Sequence, residues 1–253
     1  METGVKINRA NQLLQPVYRQ ADKLMLGVLW VLFAMSLGLS GMHDTLLWAF
    51  VIGLPTALVP TALIFMAPGA LVTRLSVATA FMVFCALHIH QALGMTELHF
   101  GIFVLLAFLL SYRDWRPIVL AAGVAAVHHL SFNYLQTWGY GVICFTEPGL
   151  GIVMTHAAYV VAETSVLVYL AYVLHKEALQ AAELGGMVAG MSDSAGSIVL
   201  SGPQWQPHSA LGSSLQDILG RLRNTMAEVR TGTETITVAS REIASGNADL
   251  SNR

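Results

Sequence analysis

Between Leu24 and His175 the chain carries eight Lys, Arg, Asp or Glu side chains: Asp44, Arg74, Glu97, Arg113, Asp114, Arg116, Glu147 and Glu163. Six apolar stretches fill that interval, at residues 24–42, 46–66, 71–94, 98–112, 117–136 and 150–174. Most approach the ~20 residues that cross a bilayer's hydrocarbon core, and the fourth is the shortest. A backbone in hydrocarbon must satisfy its own N–H and C=O groups, which a helix does within one segment. The expected fold is therefore all-α, a six-helix transmembrane bundle. Composition agrees, with 55% hydrophobic and 11% charged residues over 253 positions, a balance ordinary soluble domains do not reach. The net charge of −2 excludes a nucleic-acid binder that works through a basic surface. Two cysteines, Cys85 in an apolar run and Cys144 in a loop exposed enough to oxidise, cannot build a disulfide framework. No nucleotide loop, catalytic triad or kinase signature marks an enzyme.

Charge also sets the expected orientation, because Lys and Arg concentrate on the cytoplasmic side of a membrane. Residues 1–23, with Lys6, Arg9, Arg19 and Lys23, lack the apolar core and cleavage site of a signal peptide and read as a cytoplasmic N-terminal segment. Arg74, Arg113 and Arg116 fall beside the second and fourth connections, Lys176 follows the sixth span, and the outer connections carry no Lys or Arg. Both termini are thus expected on the cytoplasmic side. Residues 24–175 form the six-span sensor domain and 176–210 a linker. The linker opens with a helix continuing to about Leu184 and turns Gly- and Ser-rich over 185–202, with Pro203 and Pro207 beyond. Residues 211–253 start a coiled coil, since Leu215, Leu222, Val229, Ile236, Ile243 and Leu250 recur every seven residues. Gly232, Gly246 and many Thr and Ser weaken that helix alone, so a parallel homodimer is expected.

The depth of the histidines is the most informative feature. At a rise of about 1.5 Å per residue, His128 and His129 lie roughly 10–12 Å below the outer end of span five, and His156 about 9 Å below that of span six. His88 and His90 lie roughly 6–9 Å below the outer end of span three, by the same rise. His43 and His99 are expected near the outer surface. A single intramembrane His is often a helix–helix hydrogen-bonding group, but five at one depth point to a functional site, because ionisable groups in hydrocarbon are costly. His129, Asn133 and Gln136 share one helix face, and His156, Tyr159 and Glu163 share another, so both polar stripes should point inward. His88 has Gln91 one turn on, whereas His90 faces Leu87 and Leu93. Beside His128 the small side chains Ala121, Ala125 and Ser131 offer a row against which a flat macrocycle can lie. Pro55 and Pro60 should kink span two, and Trp30, Trp48, Trp115 and Trp138 suit interfacial anchors.

Two prosthetic groups fit this set. A b-type haem (heme b) takes two axial imidazoles from facing helices, here drawn from His88, His90, His128, His129 and His156. A non-haem site takes imidazoles of His88, His90, His99, His128, His129 or His156 with Glu163 or Glu97, binding copper, iron or zinc. Structural or proton-relay histidines are the third possibility.

Residues 235–251, Thr-Ile-Thr-Val-Ala-Ser-Arg-Glu-Ile-Ala-Ser-Gly-Asn-Ala-Asp-Leu-Ser, resemble the start of the cytoplasmic hairpin of bacterial methyl-accepting chemotaxis proteins. The stretch 208–229 is similar to the second helix of a HAMP relay, while 185–202 departs from that pattern. The motifs His88-Ile89-His90-Gln91, Glu97-Leu98-His99-Phe100, Tyr112-Arg113-Asp114-Trp115, His128-His129 and 156–163 look like the histidine-rich six-span input domain ahead of some chemoreceptors. The resemblance implies a chemotaxis receptor, truncated early in its signalling helix, whose full-length form engages a histidine kinase and an adaptor protein. The expected function is a transmembrane chemoreceptor for oxygen, redox state or a related small molecule, with haem or metal in its outer half. The rivals are a metal-ion receptor for copper, iron or zinc, and a membrane cytochrome b that carries electrons.

Overall fold

The computed structural model describes residues 2–191, 207 and 209–251, with side chains from residue 12 onward. Among the described residues every regular element is helical. In chain order these are α1 (Glu2–Ser40), α2 (Leu46–Trp48), a π turn (Ala49–Gly53), α3 (Leu54–Met66) and α4 (Leu71–Gln91). They continue with α5 (Thr96–Leu109), a 3-10 turn (Leu110–Tyr112), α6 (Trp115–Thr137), α7 (Leu150–Ala189) and α8 (Ala210–Ser251). Five helical segments are long and apolar enough to cross a membrane: Gln12–Ser40, Leu46–Met66, Leu71–Gln91, Trp115–Thr137 and Leu150–Ala189. Thr96–Tyr112 is apolar but shorter. The chain divides into two compact units, Met1–Leu179 and Gln180–Arg253.

In the first unit α4 is the core helix, packed against α1, α3, α5 and α6. Its buried side chains, Val77, Ala80, Phe81, Met82, Phe84, Leu87 and Ile89 among them, cover more than half of its circumference. A helix with so wide an apolar face has to be packed on several sides by other elements. The first 23 residues are not a separate segment, because α1 is continuous and Leu14, Tyr18, Ala21 and Asp22 are buried against the bundle. The kink expected at Pro55 is taken up by the π turn just before it. Proline lacks an N–H and its ring strikes the carbonyl four residues back, so the preceding turn widens.

Two polar clusters tie the helices together, one at each end of the bundle. At the first, the buried Arg74 of α4 pairs with the buried Asp114, which also caps α6 by accepting from Arg116 N at 3.1 Å. The guanidinium of Arg74 lies 3.9 Å from the centre of the Tyr18 ring on α1. Asp22, one turn on, accepts from Tyr112 Oη at 2.9 Å and from Gly69 N at 2.5 Å. Gly69 holds a φ of +72°, a left-handed conformation that glycine adopts without the strain a side chain would bring. At the opposite end Gln91 of α4 donates to Ser36 O at 3.0 Å and to Thr45 Oγ1 at 3.2 Å, and accepts from Ser36 Oγ at 3.0 Å. α1, α4 and α6 therefore run one way, and α3 and α5 return.

In the second unit α7 stays helical through Gly185 and Gly186 to Ala189, beyond the end near Leu184 expected from composition. Met187, buried, anchors this last stretch, which offsets the roughly 1 kcal/mol each glycine costs a helix. Residues 192–206, which include most of the expected Gly- and Ser-rich linker with Pro203, and His208 lie outside the described residues. α8 begins at a serine cap, where Ser209 Oγ accepts from Gly212 N at 3.0 Å and Ser209 N donates to Glu183 at 3.1 Å. It then runs 42 residues with Leu222, Val229, Ile236, Ile243 and Leu250 all exposed.

Removing one partner of a buried ion pair leaves the other charged and unpaired, at a cost of about 3–5 kcal/mol. Asp114→Ala should lower unfolding stability in detergent micelles by that order. Arg116→Ala, whose side chain is 35% exposed, should cost less than about 1 kcal/mol. Equal losses for the two variants would show that the Arg74–Asp114 pair does not organise this end.

Candidate metal centre

Beyond the Gln91 cluster, a further group of polar side chains owes its shape to a loop that folds back into the bundle. Residues 138–149 link α6 to α7, and three polar side chains draw the loop inward. Gln136 Oε1 accepts from Cys144 N at 2.9 Å and from Phe145 N at 3.1 Å, while its Nε2 donates to Phe145 O at 2.6 Å. Asn133 Oδ1 accepts from Gly149 N at 2.7 Å. His90 Nδ1 accepts from Ile143 N at 3.1 Å. The loop backbone passes so close to Gly94 (φ +78°) that a Cβ there would lie 2.5 Å from the Phe145 carbonyl carbon. Cys144 and Phe145 end up buried, 0% and 1% exposed. This corrects the expectation of an oxidisable surface thiol, because the Gln136 amide replaces water for both backbone N–H groups. Burial also pushes the Cys144 thiol up to about 12, so the free side chain stays protonated at neutral pH.

Three histidines from three helices converge beneath this loop. His99 stands in the first turn of α5, His129 on α6 and His156 in the first turns of α7. Each ring Nδ1 meets the carbonyl four residues back: His99 with Met95 O at 3.1 Å, His129 with Ala125 O at 2.9 Å and His156 with Ile152 O at 2.8 Å. A carbonyl only accepts, so Nδ1 carries the proton and Nε2 keeps its lone pair. That is the tautomer a metal-ligating imidazole needs, fixed by a hydrogen bond on its other nitrogen. The ring centres lie 5.4 Å apart for His99 and His129, 5.1 Å for His99 and His156, and 5.7 Å for His129 and His156. The Nε2 atoms of His99 and His129 are buried without a hydrogen-bond partner.

His99, His129 and Cys144, all buried, place one donor atom each within 4.8 Å of one another. Two donors on one ion lie at most about twice a bond length of ~2.0–2.3 Å apart. Small movements of these side chains therefore bring the three onto one ion, and this cluster can hold a metal. Phe145, carried in by the same loop, stacks on His99 with ring centres 5.7 Å apart and planes at 15°. Ala121 and Ala125, expected to form a seat for a flat ring, are buried in helix packing instead.

The other expected residues divide by position. His88 donates from Nε2 to Leu32 O at 3.0 Å and joins α4 to α1. His90 holds the loop and meets the Trp48 ring edge-on at 6.2 Å. His128 lies beside His129, with ring centres 5.1 Å apart, and leaves its Nε2 buried without a partner. Glu163 has one buried carboxylate oxygen without a partner, well along α7 from His156. Tyr159 is 67% exposed and not part of an inward stripe, which corrects the shared face drawn for span six. His99 is buried, although its place next to a connection suggested the surface; the folded-back loop covers it. Glu97 and His43 are exposed. Sequence reasoning missed Cys144, whose only signal was the pair of amides, Asn133 and Gln136, one helix turn apart beside a glycine-rich loop.

Comparison with family models, with curated proteins and with solved structures finds no match for this chain.

Gln136→Ala removes three hydrogen bonds at about 1 kcal/mol each, and each 1.4 kcal/mol is tenfold in an equilibrium. The open loop population, and with it the rate of maleimide labelling at Cys144, should rise tenfold or more in intact protein at pH 7. An unchanged rate would mean that Gln136 does not hold the loop.

Proposed function

We propose that this protein is a six-span bacterial inner-membrane receptor whose outer half binds a single transition-metal ion, and that it reports that ion, or its redox state, to a dimeric cytoplasmic coiled coil. The observation that carries the metal is the convergence of His99, His129 and Cys144, with two buried Nε2 lone pairs that no protein group satisfies. Imidazole and thiolate together favour copper, zinc or iron over hard cations such as magnesium or calcium. In this reading the shorter helical stretch Thr96–Tyr112 also crosses, as the fourth of six spans in chain order. The Lys and Arg distribution supports placing both termini in the cytoplasm and the histidine cluster on the outer side.

The signalling half of the reading rests on the resemblance of residues 235–251 to chemoreceptor hairpins and on the character of α8. A helix of 42 residues with an exposed apolar seam at seven-residue spacing is matched by a second copy lying alongside it. In a full-length receptor that coiled coil would lead to a histidine kinase and its adaptor. A bound ion changes the relative positions of α5, α6 and the α6–α7 loop, and a two-state bundle can pass such a change along its helices.

Protein purified in detergent without chelators should hold about one copper, zinc or iron per chain by elemental analysis, and His99→Ala or His129→Ala should lose it while still inserting in the membrane. Colourless protein with no metal that also fails to take up copper or zinc on titration would overturn the metal reading. A Soret band with sharp reduced α and β bands would replace it with haem.

The dimer is tested separately. Ile236→Cys should form an intermolecular disulfide under mild oxidation in membranes, because equivalent seam positions of a parallel pair face each other. Arg230→Cys, which forms an exposed ion pair with Glu234 off the seam, should cross-link at least several-fold less. Equal cross-linking at both positions would refute the seam.

A further inference from the structure

We infer that His156 of α7 is a conditional fourth ligand, so that the ion's coordination number decides whether α7 is gripped. The inference rests on the metal reading above and adds to it which part of the bundle responds. The three donors of the compact set come from α5, α6 and the loop behind α6, and none from α7. His156 stands outside that set yet beside it, its ring centre 5.1 Å from His99, 5.7 Å from His129 and 5.6 Å from Phe145. Its Nδ1 is already committed to Ile152 O at 2.8 Å, which leaves Nε2 as the ligand atom.

Two chemistries follow from this placement. Copper is content with a trigonal set of two imidazoles and one thiolate, which His99, His129 and Cys144 supply without α7. Zinc in protein sites takes four ligands in a tetrahedron, and His156 is the imidazole placed to complete it. A bond to His156 matters because α7 is otherwise lightly held. Along Leu150–Leu174 its buried side chains are Val153, Leu167 and Ala171, with Met154, Tyr159, Val161, Val166, Tyr169 and Tyr172 exposed. Near its other end it is tied within this unit by His175 Nδ1, which donates to Arg113 O at 3.0 Å, and by the buried Ala178. Zinc therefore closes α7 onto α5 and α6, and copper(I) leaves it as it is.

The test compares zinc(II) and copper(I) binding by the intact chain in detergent, using competing chelators, for the wild type and for His156→Ala and His156→Gln. Zinc affinity should fall about a hundredfold in both variants and copper(I) affinity less than about threefold. Hydrogen exchange supplies the second readout: zinc should raise protection of amides 152–163 in the wild type, copper(I) should not, and the zinc effect should vanish in both variants. Retained copper(I) binding in a variant shows that it is folded. Zinc affinity unchanged in both variants, or equal losses for the two ions, would overturn this inference while leaving the metal reading standing. A wild type that binds neither ion overturns both.

Discussion

The buried pair of Arg74 and Asp114 is the interaction on which the geometry of the bundle depends. Two charges out of water are stable only when paired and further hydrogen-bonded, and Asp114 meets that demand by also capping α6 and receiving Arg116. The pair fixes where α4 and α6 begin. The Tyr18 ring beneath Arg74, with Asp22 bonded to Tyr112 and Gly69, sets α1 and the end of α5 against the same point. Helices that start from a common level and rise at a constant 1.5 Å per residue deliver their later residues to predictable depths. His129, four turns into α6, and His99, at the start of the returning α5, meet at one level for this reason.

At the other end the controlling constraint is hydrogen-bond satisfaction. A loop over a bundle carries backbone N–H groups that must find acceptors, and those of Ile143, Cys144, Phe145 and Gly149 find them on His90, Gln136 and Asn133. These three side chains thereby convert a surface connection into a cover, and Cys144 comes with it. The same accounting leaves an excess on the imidazoles. Each of His99, His129 and His156 uses its one proton on a carbonyl of its own helix. The unused lone pairs of His99 and His129 are buried in an environment where an unpaired polar atom is expensive. A cation is the natural partner for a group of lone pairs with no donor opposite.

The two ends of the bundle differ in kind. The arginine end is built round a buried ion pair, whereas the histidine end gathers imidazole Nε2 atoms buried without a donor and depends on a loop for closure. Structural regions with less internal satisfaction are where ligands exert control, since binding there changes the balance most. α7 has few buried side chains along Leu150–Leu174, and in the proposed reading it is the element that answers to an ion at the histidines.

Much of this was legible in residue order alone. Hydrophobic runs nearly free of charge dictate helices, because no other element satisfies its backbone in hydrocarbon, and the start and end of the second and third runs match the helices closely. The rise per residue placed His129 and His156 at one depth, and the spacing of Asn133 and Gln136 put them on the face of His129. What pairwise contacts between distant segments decide was not legible. Arg74 and Asp114 are 40 residues apart, Asp22 and Tyr112 are 90 apart, and local pattern carries no trace of either pairing. The partition of the histidines into candidate ligands, loop supports and helix ties was equally hidden, since it depends on which carbonyl or loop each ring reaches. Residue order by itself determined a helical membrane protein with imidazoles gathered toward one end, for those follow from hydrophobicity and helical rise. Only the tertiary structure decided that His99, His129 and Cys144 are the ones that meet, because that required a loop to fold back and two helices, α5 and α6, to bring their histidines to a common level.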